Sequence, residues 1–477
     1  MVRCVAKRCL EPRNALRLDF GSYRWGATAF PRASESRKLA RMSHPYAQDL
    51  RHCFPAQSGP HPLSHDAFAA TCAALKPHLD ALRDSARAGG QPLYEIVKRR
   101  DDLEAAAPVV KHLLNNTTDL CLLGVGGSGL GAQAVAQLRG WRTPVVADRV
   151  GAIRFHVFDN LDGASFAHAL TALDLKTTRF LIVSKSGSTG ETMMQTLAAA
   201  EALKAAGGAK YMKHHFAAVT EPTSGNPVRA FVEEIGAPAL DHPLDIGGRY
   251  SVLSLVGMLP ALLLGLDAAA LRDGARAVWE RLLESDEAEP AEGAALNIAA
   301  AKAGFGELVL MPYGDRFDRF GAWWRQLWAE SVGKDGQGQA ASTALGPVDQ
   351  HSQLQLYLDG PNVRAFTVLS APQAGEGFRP DPELAERLGV GYLGGHALGD
   401  LVAAQTRATA ETLARRGRPV RTMTVERLDE RALGGLFMHF MLETILAARL
   451  MGVDPLDQPA VEEGKRLARA YLAQAKA

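Results

Sequence analysis

The chain has 477 residues, 47% of them hydrophobic and 22% charged, with a formal net charge of +1. That is the composition of a globular protein with length for two or three domains and an ample core. The charge is uneven: residues 1–42 hold ten Lys/Arg against three Asp/Glu, a net of +7, leaving −6 on the remainder, and a mildly acidic body argues against a nucleic-acid or membrane-surface binder.

The first 42 residues are Arg-rich and acid-poor, vaguely like a transit peptide, but hold no apolar run long enough for a signal-peptide core. Met42 opens MSHPYAQDL, a natural-looking start, so residues 1–41 read as a basic, disordered extension. Cys4 and Cys9 fall in it. Cys53, Cys72 and Cys121 remain, with no CxxC and no metal-ligand spacing, which fits a reducing cytoplasm. No stretch reaches the roughly 18 apolar residues of a membrane-spanning helix; Leu253–Leu266 comes closest.

Beyond Asp119 the chain alternates between short apolar runs and Ala-rich helical patterns. Strands are predicted at Leu120–Val125, Ile153–Phe158, Phe180–Val183 and Phe216–Val219, with helices such as Ala132–Leu138 and Thr192–Ala206 between them. A second series follows at Glu307–Met311, Val363–Leu369 and Val420–Val425. Such alternation predicts parallel βαβ units with helices on both faces. The acidic stretch Ser285–Gly293 reads as an inter-domain linker. The predicted organisation is α/β: residues 42–284 as a helical N-terminal arm and a first domain, 285–450 as a second domain, and 451–477 as a helical C-terminal tail.

Two loops lie where ligands of open parallel sheets bind, at the carboxyl ends of strands. Leu181–Thr192, LIVSKSGSTGET, packs Ser184, Lys185, Ser186, Ser188 and Thr189 with two glycines into a few positions before a helix. Hydroxyls, free backbone N–H groups and the positive end of a helix suit a phosphate, although Ser/Gly/Thr stretches are also common surface turns. The loop is not a nucleotide P-loop, because it lacks G-x-x-x-x-G-K-[ST]. Gly124–Gly131, GVGGSGLG, fits G-x-G-x-x-G, but the acidic residue expected about 20 positions on is missing. A phosphate or sugar hydroxyl meeting Ser128 and the neighbouring amides explains that loop more simply than a dinucleotide.

Four further side chains could do chemistry. Glu330 ends a helix whose Phe320, Trp323, Trp324, Leu327 and Trp328 form an apolar stripe. A carboxylate at the edge of that stripe suits proton transfer, because desolvation favours a carboxyl group's protonated form; a solvated helix-end glutamate is the alternative. Arg249, in DIGGRYS, leads into an apolar helix and calls for a fixed anionic partner, structural or substrate. Lys465 shares a helix face with Val461, Ala468 and Leu472, where it either snorkels outward or enters a site. His396 follows two glycines just before a helix; His351 is its rival, and nothing local separates them.

Taken together, the segments GVGGSGLGA, SKSGSTGET, GGRYS, AESVGK, GGHALGDLVAAQT and DQPAVEEGK resemble those of the glucose-6-phosphate isomerase (phosphoglucose isomerase) family, in family order across roughly residues 120–470. The resemblance implies two sugar-isomerase domains of flavodoxin-like type. It implies a substrate phosphate on Ser184, Lys185, Ser186, Thr189 and Thr192, and sugar contacts near Gly127, Ser128, Gly248 and Gln458. Glu330 would move a proton between C2 and C1 through a cis-enediol(ate), with Arg249 stabilising the enediolate oxygen. His396, from the partner subunit of a homodimer, and Lys465 would assist ring opening, and His351 takes no role. Such an isomerisation needs neither metal nor redox cofactor, so none is expected. Ala460 stands where the family usually has glycine, and Gly187 and Ser188 stand where relatives often carry bulkier or threonine residues. Three rival readings are an isomerase that also accepts mannose 6-phosphate, a non-catalytic sugar-phosphate sensor, and a nicotinamide dehydrogenase. The sensor needs neither Glu330 nor Lys465, and the dehydrogenase lacks its ribose carboxylate.

Overall fold

The computed structural model describes residues 44–54, 63–142, 149–150 and 153–475; the proposed extension 1–41 lies outside them. The first sheet runs in the order β3-β4-β2-β5-β6-β7. Its strands are β2 (Asp119–Leu123), β3 (Arg149–Val150), β4 (Ile153–Phe158), β5 (Thr178–Val183), β6 (Phe216–Thr220) and β7 (Ala239–Asp241). All pairings are parallel except the β3–β4 edge. Every residue of β2, β5 and β6 is buried, as expected of parallel strands covered on both faces, which is why these strands read as unbroken apolar runs.

Chain order reverses between β2 and β5: one neighbour of β2 in the sheet is β4 and the other is β5. At such a switch point the loops leaving the two strands diverge to opposite faces and open a crevice at their carboxyl ends. The glycine loop follows β2 and the hydroxyl loop follows β5, so both predicted loops border one crevice. Gly124 and Val183 meet there, with a Cβ at Gly124 placed 3.1 Å from the Val183 carbonyl oxygen.

The second sheet has the order β1-β11-β10-β8-β9, from β1 (Ala47–His52), β8 (Glu307–Tyr313), β9 (Ala340–Thr343), β10 (Arg364–Ser370) and β11 (Val420–Thr424). The sequence groups a helical N-terminal arm with the first domain over residues 42–284, but β1 near the start of that span pairs antiparallel with β11 and completes the second sheet. Its sequence, AQDLRH, lacks the apolar alternation of a half-buried strand, and an edge strand needs little of it. The expected linker is also corrected. Helix Glu289–Lys302 starts inside it, with Pro290 in the first turn and Ala291 and Gly293 buried. Of the four acidic residues that suggested a linker, Glu289 and Glu292 lie in that first turn, where the helix dipole favours them, while Asp286 and Glu287 are exposed in the short connection before it.

Helix Glu430–Met451 is, among the described residues, the one helix long and apolar enough to cross a membrane, surpassing Leu253–Leu266. It is buried along almost its whole length, packed between helices Ala268–Glu284 and Glu289–Lys302. In its middle sits a buried polar network. Arg421 donates to Glu443 at 2.5 and 3.1 Å, Asn297 donates to the same carboxylate at 2.8 Å, and His439 Nε2 lies 2.9 Å from it. Tyr46 closes the chain at 2.6 Å from His439 Nδ1, tying the residues before β1 to this helix. Burial alone would raise the Glu443 pKa, but the Arg421 charge outweighs it and holds the group down to about 2. Burial pushes the His439 pKa down, consistent with a neutral ring that accepts from Tyr46 and donates to Glu443. At the amino end of the first sheet, Asp119 is similarly held near 2, against its burial, by Arg154, His156 and Thr118.

Arg421→Met leaves Glu443 buried without its counter-charge, and urea unfolding at neutral pH is expected to show a loss of about 3–5 kcal/mol. Both depressed carboxylates stabilise the fold fully above their ordinary values of 4.5 and 3.8 and lose that contribution as pH falls toward 2. The wild-type urea midpoint is therefore expected to decline steadily on acidification from pH 5 to pH 3. A flat profile over that range would contradict the assignment.

Candidate active site

The hydroxyl loop follows β5 directly, and Thr189 is the residue that precedes helix Gly190–Ala205. Ser184 is buried and its hydroxyl lies 3.3 Å from that of Thr189, while Ser186 and Ser188 pair at 2.9 Å. Gly187 has φ +67°, and a Cβ there would fall 1.8 Å from Asn226 Oδ1, so only glycine fits this turn. Asn226 in turn donates to the Thr220 hydroxyl at 2.7 Å and to the Lys185 carbonyl at 3.3 Å. Thr192 is buried in the first turn of the helix, and its hydroxyl has no partner among the described residues. A buried hydroxyl left alone costs about 1–3 kcal/mol, which an anion's oxygen would offset. Lys185 stands at the rim, donating to the Leu244 carbonyl at 2.9 Å with Glu221 at 3.6 Å. Burial and then the Lys185 charge push the nearby His242 down to about 4, so that ring adds no competing positive charge at neutral pH.

The glycine loop brings the other elements against this cradle. A Cβ at Gly127 would lie 2.4 Å from the Gly248 carbonyl carbon and 2.6 Å from Arg249 N, so the loop and the GGRYS turn meet backbone to backbone. Gly126 lies against Gln326, whose amide donates to Glu330 Oε1 at 2.9 Å. Glu330 rides on helix Asp318–Val332, whose Phe320, Trp323, Trp324, Leu327 and Trp328 are all buried as predicted. The carboxylate itself remains 31% exposed and faces Arg249 Nη1 at 3.5 Å.

The Arg249 side chain is 2% exposed. Its Nε donates to Ser331 Oγ at 2.8 Å, and Nη1 donates to Gln458 Oε1 at 2.5 Å. Its Nη2 donates to the carbonyls of Pro455 and Asp457 at 2.5 and 2.9 Å. Four of the five guanidinium N–H groups thus find a hydrogen-bond acceptor, and Glu330 adds an ion pair on the Nη1 side. The sequence left a structural or a substrate partner open for this arginine. The partners are Ser331, Glu330 and the C-terminal segment, all supplied by the protein itself. Tyr250 completes the layer, its hydroxyl 2.9 Å from Ser331 Oγ, and burial pushes its pKa to about 12.

The structure thus gathers Gly127, Gly248, Arg249, Glu330 and Gln458 beside the loop that carries Ser128, and sets them next to the cradle of Ser184, Lys185, Ser186, Thr189 and Thr192. His396 and Lys465 stay apart from this cluster within the single chain. His396 precedes helix Leu398–Arg415 as predicted, but is 65% exposed and 3.9 Å from Asp400. Lys465 is 54% exposed on helix Glu462–Gln474, none of whose residues is buried, and pairs with Glu462 at 2.7 Å. Sequence reasoning missed Gln326, Ser331, Tyr250 and Lys334. The spacing of Gln326, one helical turn before Glu330, was the available signal.

A hydroxyl-rich loop at one sheet's switch point, beside a carboxylate and a buried guanidinium, belongs to an α/β fold of the phosphosugar-isomerase class. The phosphoglucose isomerase family model matches residues 107–363. A glucose-6-phosphate isomerase of Rubrobacter xylanophilus is 36% identical over 79% of this chain and 87% of its own length. One of Thermus thermophilus is 36% identical over 74% and 84%. Among solved structures, a hypothetical protein of Thermus thermophilus superposes with TM-score 0.77 at 32% identity, covering 90% of this chain and all of its own. A glucose-6-phosphate isomerase of Chlamydia trachomatis shares the fold, with TM-score 0.65 at 22% identity over 79% and 74%. The chain belongs to the phosphoglucose isomerase family.

Gly187→Ala puts a methyl group onto Asn226 in a left-handed backbone position. It is expected to weaken sugar-phosphate binding about 10-fold or more, equivalent to about 1.4 kcal/mol, read by ligand-induced thermal shift. Unchanged binding would remove the loop from the anion site.

Proposed function

We propose that this protein interconverts glucose 6-phosphate and fructose 6-phosphate, the aldose–ketose step of glycolysis and gluconeogenesis, and does so in the cytoplasm. The observation that carries this reading is the placement of Glu330 beside Arg249 at the crevice that holds the hydroxyl cradle. The substrate phosphate sits on Ser184, Ser186, Thr189 and Thr192 with Lys185 at its edge, and takes the unpartnered Thr192 hydroxyl as a donor. Binding energy from the phosphate is remote from the reacting carbons and holds them over the base.

After ring opening, the Glu330 carboxylate removes the proton from C2 of the aldose. The C–H electron pair becomes the C1–C2 double bond, and the C1 carbonyl electrons move to O1, giving a cis-enediol(ate). Arg249 lies 3.5 Å from the same carboxylate, where its charge stabilises the developing oxyanion. Glu330 then returns the proton to C1 as the C1–C2 double bond opens, the O2 proton passes to O1, and the electron pair it leaves on O2 forms the C2 carbonyl. Gln326 fixes the carboxylate by its 2.9 Å hydrogen bond, and Gln458 lines the sugar side.

His396 and Lys465 assist ring opening, the first from the partner subunit of a homodimer. The exposure of His396 supports this, as do the large apolar side chains left exposed around it, Phe378, Leu388, Tyr392 and Leu398. The three described cysteines are free thiols, as expected in the cytoplasm.

Purified protein in EDTA is expected to convert fructose 6-phosphate to glucose 6-phosphate in a coupled dehydrogenase assay. Glu330→Gln is expected to lower kcat by about 100- to 10,000-fold while ligand binding is retained. Turnover surviving in the variant would overturn the base assignment, and wild-type binding without turnover would favour the sugar-phosphate sensor. Mixing inactive His396→Ala and Glu330→Gln chains is expected to restore part of the activity in heterodimers. No recovery, with heterodimers demonstrated, would refute the shared site.

A further inference from the structure

Gln458 and the helix of Lys465 hang on the turn 454–458, and burial does little to hold that turn. Val453 is the last buried residue before it, and Asp454, Leu456, Asp457 and Gln458 are exposed. What fixes the turn is a pair of cations reaching out of the preceding fold. Arg249 takes the carbonyls of Pro455 and Asp457 from one side. Lys334 takes the other side, where its ammonium donates to the Asp454 carbonyl and lies 2.7 Å from Asp457 Oδ1. The Lys334 side chain is only 12% exposed. Inside the turn, Leu456 N–H donates to Asp454 Oδ1 at 2.8 Å, and Gln337 holds the Met451 carbonyl just upstream at 3.1 Å.

Lys334 stands four residues after Glu330, just past the end of the base-carrying helix at Val332. It therefore ties the turn to the same helix end that presents the carboxylate. Arg249 ties it to Ser331 on that helix as well. If the Lys334 side is released, the carbonyls that occupy Arg249 Nη2 are free to shift, and with them the Gln458 oxygen that occupies Nη1.

We infer that Lys334 is a positioning residue for the isomerase reaction: through Asp454 and Asp457 it fixes the turn that sets Arg249 and Gln458 against Glu330 and mounts the helix of Lys465. Its side-chain partners are Asp454 and Asp457, neither of them in the hydroxyl loop, so its loss acts on the Arg249–Gln458 end of the site. The inference rests on the proposed isomerase activity, and its test separates the two.

Lys334→Met is expected to lower kcat for fructose 6-phosphate by about 10- to 100-fold through misplacement of groups on the order of 1 Å, with KM changed by less than about two-fold because phosphate binding is untouched. Hydrogen–deuterium exchange at residues 454–458 is expected to rise about 10-fold over wild type, while the melting temperature of the main transition stays within a few degrees. Asp457→Asn should give a smaller loss in the same direction, and the double variant should lose no more than Lys334→Met alone, because both changes break one contact. Lys334→Arg keeps the charge and is expected to recover part of kcat; it also serves if the methionine variant does not fold. Unchanged kcat with faster exchange would overturn the positioning role, as would a KM that rises as much as kcat falls. Additive losses in the double variant would do the same. A wild type without turnover refutes the functional reading instead, and unchanged exchange in Lys334→Met then refutes the clamp itself.

Discussion

The guanidinium of Arg249 is the point on which the active-site end of this protein depends. A buried arginine is tolerable only when its charge and its N–H groups are met, because an unpaired one would carry the full desolvation cost. Here its donors reach Ser331, Gln458 and two carbonyls of residues 455–457, and the Glu330 carboxylate meets the charge at 3.5 Å. Satisfying one side chain thus fixes three pieces of chain far apart in sequence: the GGRYS turn, the end of the base-carrying helix and the C-terminal segment.

Around that point the architecture divides the labour. The first sheet supplies the crevice at its β2/β5 switch, bordered by two loops of small residues and hydroxyls. The second half contributes helix Asp318–Val332, anchored by an aromatic stripe whose Phe320 and Trp323 pack against Phe437 on helix Glu430–Met451. Glu330 therefore projects from a rigid helix whose other face is locked in the core, and the hydroxyl loop turns at Gly187, where only glycine fits. Gly127 is the seam between the two, because any side chain there would push the Arg249 turn away from the glycine loop.

A second buried ionic group, Arg421 with Glu443, does for the second sheet what Arg249 does for the site. It joins β11 to helix Glu430–Met451, and through His439 and Tyr46 it reaches the residues just before β1. That contact explains how an edge strand with a weakly patterned sequence finds a sheet whose other members lie more than 250 residues further along the chain. Gly293 sits directly on this pair, so the second half of the stretch that looked like a solvated linker belongs to the core.

Buried parallel strands need continuous apolar residues, and the helices between them need Ala-rich stretches, so the two series of βαβ units were legible in composition and periodicity alone. The hydroxyl loop, the glycine loop and the aromatic stripe beneath Glu330 were legible for the same reason: each is a local pattern with a local physical cause. The sequence could not determine that β1 crosses to the second sheet or that Glu289 and Glu292 open a helix, since edge strands carry little pattern and acidic residues suit a helix start as well as a linker. Nor could it show which groups surround Arg249. Its partners lie about 80 and more than 200 residues away, and only the folded chain brings them within hydrogen-bond distance. His396 and Lys465 mark the boundary from the other side: their motifs are plain in the sequence, yet the single folded chain leaves both in solvent.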